Sequence, residues 1–109
     1  MFSYSQLAQS LHDRGIESFF QNPEMLVISN QNPAFPNSNS FWVTKKGEKW
    51  FIGTWLPAIY KVADEKQLGE ICEAVFKSSP TAIYSMAPEL AARLNLHRLS
   101  NSEMKERGF

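Results

Sequence analysis

The stretch that most constrains the fold runs from Phe41 to Tyr60 and reads FWVTKKGEKWFIGTWLPAIY. It contains all three tryptophans of the chain and is rich in aromatic and β-branched residues, which favour β-strands. Lys46-Gly47 interrupts it near the middle, where a tight hairpin turn would fall. The stretch therefore predicts two adjacent antiparallel strands.

Both faces of this hairpin are expected to be apolar. Successive side chains of a strand point to opposite faces of the sheet. Phe41 and Trp42 are neighbours in sequence, and so are Trp50 and Phe51, so each face receives large aromatic side chains. If helices cover one face, the other needs a different cover, which the loop at 30–40, the C-terminal segment, another copy of the chain, another protein or a ligand would provide.

Two pairings of the hairpin strands fit the sequence. If Lys46-Gly47 forms a two-residue turn, Val43 lies opposite Trp50. If Gly47 takes the left-handed position of a three-residue loop with a bulge, Trp42 comes near Trp50 instead. The bulged loop is favoured, because Lys46 then needs no positive φ. In both arrangements Gly47 has a positive φ.

The N-terminal part of the chain predicts a helix followed by two short strands. A Ser-x-x-Gln capping box at residues 3–6 opens a helix over 4–14. Ile16–Phe20 and Met25–Ser29 are β-prone runs separated by an Asn-Pro turn signal. Residues 30–40 are dominated by Asn, Pro and Ser and predict a loop.

The C-terminal part predicts one more strand and then helices. The strand covers Ala58–Val62, and a helix over Glu65–Lys77 follows it. Apolar residues recur in that helix at the spacing of a single face: Leu68, Ile71, Cys72, Val75 and Phe76. A third helix is expected over Met86–Leu94, a short extended piece over Leu96–Leu99 and a frayed helical end over Ser102–Arg107.

This order of elements predicts a single α+β domain over residues 1–109. Strands that are adjacent in sequence and joined by short turns form an antiparallel meander, here of about four to five strands. The N-terminal helix and the C-terminal helices are expected to pack mainly on one face of that sheet.

Charge and cysteine content restrict the class of partner and the compartment. Eleven basic and eleven acidic residues cancel, which argues against nucleic acid and anionic membrane as partners. The chain has one cysteine and no apolar run of about 18 residues, so we expect a soluble cytoplasmic protein without a membrane span. Four lysines in and after the hairpin indicate a protected sheet edge: Lys45, Lys46, Lys49 and Lys61.

No group of residues predicts catalysis, a metal ion or a cofactor. Cys72 lies within the apolar helix face, where a cysteine usually behaves as a small hydrophobe. His12 and His97 lack the spacing of metal ligands and have no evident catalytic partner. Gly53 lies inside a predicted strand and indicates a close backbone approach, by Trp55 or by a ligand. The sequence therefore favours a protein without enzymatic activity.

Two functions remain open. The first is a small non-enzymatic module that contacts another protein, or a second copy of itself, through the aromatic face of the sheet. The alternative is a domain that binds a small ligand or nucleotide in a pocket between that face and the Asn/Pro-rich loop. The candidate binding residues for both are Trp42, Lys49, Phe51, Trp55, Tyr60 and Lys61.

Overall fold

The computed structural model describes residues 3–29, 40–54, 58–77 and 88–109. Its elements are, in order, α1 (Tyr4–Asp13), β1 (Ser18–Asn22), β2 (Met25–Ser29), β3 (Ser40–Lys46), β4 (Lys49–Thr54), β5 (Ala58–Val62), a 3₁₀ turn (Glu65–Gln67), α2 (Leu68–Phe76), α3 (Pro88–Arg93), β6 (Leu96–Arg98) and α4 (Asn101–Glu106). The strands form one antiparallel sheet in the order β1-β2-β3-β4-β5-β6. The α+β meander is confirmed. It has six strands, because the short extended piece at 96–98 pairs with β5.

Local signals in the sequence set the limits of α1. The Ser3 hydroxyl accepts from the Gln6 N–H at 3.2 Å, and the Gln6 side chain accepts from the Ser3 N–H at 2.8 Å. These two bonds form the predicted capping box. Gly15 follows the helix with φ +78°, a conformation that glycine adopts without steric cost. Ile16 then turns inward and is buried.

The sheet buries apolar side chains on both faces, as the paired aromatics predict. The helix-side core takes one set of alternating strand residues: Leu26, Ile28, Phe41, Val43, Trp50, Ile52, Ala58, Tyr60 and Val62. The second-face cluster takes the intervening ones, together with the residue after β6: Val27, Trp42, Phe51, Ile59 and Leu99. The two sets differ by one position along each strand, because the side-chain period of a strand is two.

Of the described helices, α1, α2 and α3 cover the helix-side core, and α2 packs with the predicted face inward. Leu68, Ile71 and Val75 are buried, and Phe76 is partly buried against the same core. The Cys72 thiol is also fully buried, and this burial raises its pKa far above the ordinary value. Cys72 is therefore a small core hydrophobe, as the sequence predicts, and lacks the lowered pKa of a nucleophilic thiol.

The hairpin between β3 and β4 has a register that differs from both predicted ones. Lys46 lies opposite Lys49 and Trp42 opposite Gly53, so the loop residues are Gly47 and Glu48. Gly47 has the predicted positive φ, at +62°, and Glu48 does not. This pattern is that of a hairpin turn with glycine at its first central position. Both predicted registers are wrong. The observed turn avoids a positive φ at Lys46, which the two-residue Lys46-Gly47 turn would need, and it places Trp42 opposite Gly53, where the indole ring can lie on the glycine.

The hydroxyl of Tyr4 completes the hydrogen bonding where β2 and β3 separate. It donates to the Glu24 carbonyl and accepts from the Lys45 N–H, both at 2.7 Å. We expect Tyr4→Phe to lower the free energy of unfolding by about 1–3 kcal/mol, because the part-buried Lys45 N–H loses its partner. Urea denaturation measures this change. An unchanged midpoint would mean that water replaces the hydroxyl without loss.

Candidate functional site

The six residues proposed from the sequence as a binding site do not share one surface. Trp42 and Phe51 come together in the second-face cluster. Tyr60 points to the opposite face and is buried in the helix-side core. Lys49 is exposed beside the hairpin turn, and Lys61 is half-buried in β5, opposite His97 of β6. Trp55 lies outside the described residues.

The C-terminal segment covers the second-face cluster. Met104 packs against it, and the Phe109 ring lies 5.3 Å from the Phe51 ring and 6.2 Å from the Trp42 ring, centre to centre. The Arg107 guanidinium carbon lies 5.2 Å from the centre of the Phe51 ring. One of the covers expected from the sequence is therefore present. Trp42 is only 9% exposed and Phe51 is fully buried, so this face is not an open patch.

A second capping box holds α4, the helix of this C-terminal segment. The Ser100 hydroxyl accepts from the Glu103 N–H at 3.2 Å, and the Glu103 carboxylate accepts from the Ser100 N–H at 3.1 Å. His97 contacts the same carboxylate at 3.2 Å. The bond from the Ser100 backbone, and then that from His97, lower the pKa of Glu103. The C-terminal segment is thus held by the capping box at the start of α4 and by the contact between His97 and Glu103, as well as by its aromatic contacts with the sheet.

Gly53 allows the Trp42 ring to lie directly on β4. A Cβ atom at position 53 would stand 1.8 Å from Trp42 Cζ2, far inside any van der Waals contact. The close approach predicted at this glycine is therefore present. The ring that uses it belongs to Trp42 and comes from the neighbouring strand.

A cleft of about 260 Å³ opens beside Trp42 on this second face. We call it the Trp42 cleft. Its apolar walls are Met25, Trp42, Ile59 and Phe109, and its polar lining comes from Asn22, Glu24, Thr44 and Lys46. Lys46 Nζ stands 4.8 Å from the centre of the Phe109 ring and 3.5 Å from the Gly108 carbonyl oxygen. Of the proposed site residues that the structure describes, only Trp42 lines this cleft.

Among the residues that the structure describes, the most exposed aromatic side chains lie on β1, at one edge of the sheet. Phe19 is 56% exposed and Phe20 is 49% exposed. Among the described strands β1 pairs only with β2, and it contains no charged residue. The lysine-rich strands β3 and β4 are interior, so the expectation that lysines protect a sheet edge is wrong.

Phe19 and Phe20 are not among the binding residues predicted from the sequence, although β1 repeats the adjacent-aromatic pattern of the hairpin strands. Phe19 and Phe20 are adjacent aromatics, so they too must point to opposite faces of a strand. On one side of β1 a shallow groove of about 330 Å³ separates the strand from α1. Ala8, Ile16 and Phe20 give this groove its apolar part, and His12 lies 3.2 Å from Glu17 at its polar part.

Within the residues that the structure describes, no three His, Cys, Asp or Glu side chains gather where they could hold a metal ion. His12 and His97 each contact a single glutamate, Glu17 and Glu103 respectively. None of the described helices is long and apolar enough to cross a membrane.

The comparisons with known proteins assign no family to this architecture. The chain matches no protein-family model, no curated protein and no solved structure. The features of the molecule that bear on its function are the β1 edge, the covered second face and the Trp42 cleft.

Proposed function

We propose that this protein is a small interaction module without catalytic activity, and that it binds an extended segment of another polypeptide along β1. The observation that carries the proposal is the edge position of β1 together with the exposure of two adjacent phenylalanines, Phe19 and Phe20. This is the interaction function expected from the sequence, but the proposed binding surface is the β1 edge instead of the hairpin, because the C-terminal segment covers Trp42 and Phe51.

An edge strand offers a row of backbone N–H and C=O groups to a new strand. Proteins that accept a peptide in this way gain affinity from the backbone bonds and specificity from the alternate side chains of the peptide. The groove between β1 and α1 lies where one set of those side chains would project. Its apolar part, at Ala8, Ile16 and Phe20, suits an aliphatic side chain.

The exposed area favours a weak peptide complex over a stable dimer of this chain. A buried phenylalanine removes roughly 150–250 Å² from water, so two half-exposed rings offer roughly 200 Å² together. A stable protein interface buries about 800 Å² on each partner. The two rings therefore supply only part of such an interface, which is enough for a reversible complex with an extended peptide.

We also propose that this interaction takes place in the cytoplasm and that the partner is a protein. Cys72 is the only cysteine and is buried, and chains without disulfides are typical of reducing compartments. The equal numbers of acidic and basic residues give no electrostatic basis for binding nucleic acid.

A designed strand peptide tests the proposal. We expect the peptide Lys-Thr-Val-Thr-Val-Thr-Val-Lys to shift the backbone amide signals of residues 18–22 in two-dimensional NMR. Phe20→Lys should weaken binding about tenfold or more, because lysine on an edge strand opposes pairing. Glu48→Lys, which introduces the same side chain in the exposed hairpin turn, is the matched control and should leave binding unchanged.

Three results would contradict this proposal. The first is an absence of shifts in β1 at millimolar peptide, and the second is equal binding by the Phe20→Lys protein. The third is a dimer at micromolar concentration in sedimentation that Phe20→Lys abolishes, which would make a second copy of the chain the occupant of the edge.

A further inference from the structure

We propose that the Trp42 cleft is a second, independent binding site, and that it takes a flat aromatic molecule carrying one carboxylate. The cleft lies against β3, β5 and the C-terminal segment. Its apolar walls pack on the second face, and it meets β1 through Asn22, the last residue of that strand.

The apolar part of the site is already formed. The Trp42 ring cannot move toward β4, because it rests on Gly53, and Ile59 beside it is buried. Phe109 forms the opposing wall and is 36% exposed, so part of this aromatic residue remains accessible to a ligand. A volume of about 260 Å³ suits one or two fused rings, since pockets for larger ligands measure about 300–1,000 Å³.

Lys46 selects the charge of the ligand. Its ammonium group already occupies the cation position over the Phe109 ring, at 4.8 Å from the ring centre. Within the described residues it forms no ion pair, and its hydrogen bond goes to the Gly108 carbonyl. A ligand cation would compete with this ammonium for the ring, whereas a carboxylate would pair with it.

Glu24 also lines the cleft and opposes an anion. Its backbone is fixed, because its N–H donates to Asn22 and its carbonyl accepts from Tyr4 and Thr44. Because Glu24 lines the cleft, the negative charge of its side chain limits the affinity for an anion there. Removing this charge by Glu24→Gln should raise the affinity for a carboxylate ligand, whereas removing the Lys46 charge should lower it.

Three related probes test the charge and the location together. Indole-3-acetate, indole and tryptamine are titrated against the labelled protein, and the Trp42 indole N–H and the Phe109 amide are followed by NMR. We expect indole-3-acetate to bind tightest and to shift both signals. Lys46→Met should weaken it about tenfold, the value of one charged hydrogen bond near the surface. Glu24→Gln should tighten it severalfold.

The matched control is Lys49→Met, since Lys49 lies directly opposite Lys46 in the hairpin and does not line the cleft. It should bind the probe like the unmodified protein, as should Phe20→Lys, whose substitution lies at the β1 edge. Four results would each overturn the proposal: no shift at Trp42 or Phe109 at millimolar probe, equal affinity for all three probes, preference for tryptamine, or equal loss in the Lys46→Met and Lys49→Met proteins.

Discussion

Phe51→Ala is expected to lower the free energy of unfolding by about 3–5 kcal/mol, the range for phenylalanine truncation in a packed core. The Phe51 ring is fully buried on the second face of the sheet. It contacts Phe109 and Arg107 of the C-terminal segment. The substitution removes the surface on which that segment rests, and the cavity left behind adds to the loss of apolar burial.

Phe19→Ala is the matched control, because it deletes the same side chain from an exposed position. Phe19 lies on the edge strand and is 56% exposed. Surface substitutions of this kind change stability by less than about 0.5 kcal/mol. Urea denaturation of the two variants gives the comparison. If Phe51→Ala cost no more than Phe19→Ala, the second face would not be a core, and Phe51 would again be available for the binding role first predicted for it.

Gly53→Ala is expected to destabilise the protein by about 2–3 kcal/mol, although it adds a single methyl group. The new Cβ would stand 1.8 Å from Trp42 Cζ2, and 2.0 Å and 2.3 Å from the next two ring atoms. The rigid indole must therefore move away from β4. Trp42 also packs in the second-face cluster, so this movement disturbs its contacts there.

A double-mutant cycle identifies the indole as the cause. In a Trp42→Leu background the large ring is absent, so Gly53→Ala should cost much less than in the unmodified protein. Residues in direct contact show coupling energies of about 0.5–3 kcal/mol in such cycles. Full additivity of the two substitutions would contradict the packing of Trp42 on Gly53. Gly47→Ala is a useful reference, because a Cβ there meets no atom within 4 Å and only the positive φ is strained.

The aromatic residues of the hairpin are core residues and do not form an exposed binding face. Phe41 and Trp50 belong to the helix-side core, and Trp42 and Phe51 to the second-face cluster. The excess of aromatics therefore reflects a sheet packed on both faces. The described surface instead exposes aromatic rings at the β1 edge and at Phe109. These are the places where we propose contacts with a peptide and with a small ligand.

The sequence by itself determined the local elements and their order. Residues close together in the chain form the capping box at Ser3, the glycine turn after α1 and the apolar face of α2. The position of these features could therefore be predicted from the sequence. The alternation that divides Trp50 from Phe51 is equally local, because it follows from the period of a strand. The burial of Cys72 follows from its place in the helical repeat.

The tertiary structure alone decided the register of the hairpin, the cover of the second face and which of the described strands lies at the edge of the sheet. Several turns fit Lys46-Gly47, and the observed one places the Trp42 ring on Gly53, a contact between two strands. Phe109 reaches Phe51 from 58 residues further along the chain, and no local pattern encodes that distance. Whether a strand is interior or at an edge depends on which strands pair with it. For this reason the lysine-rich hairpin could be mistaken for an edge, whereas β1 is one.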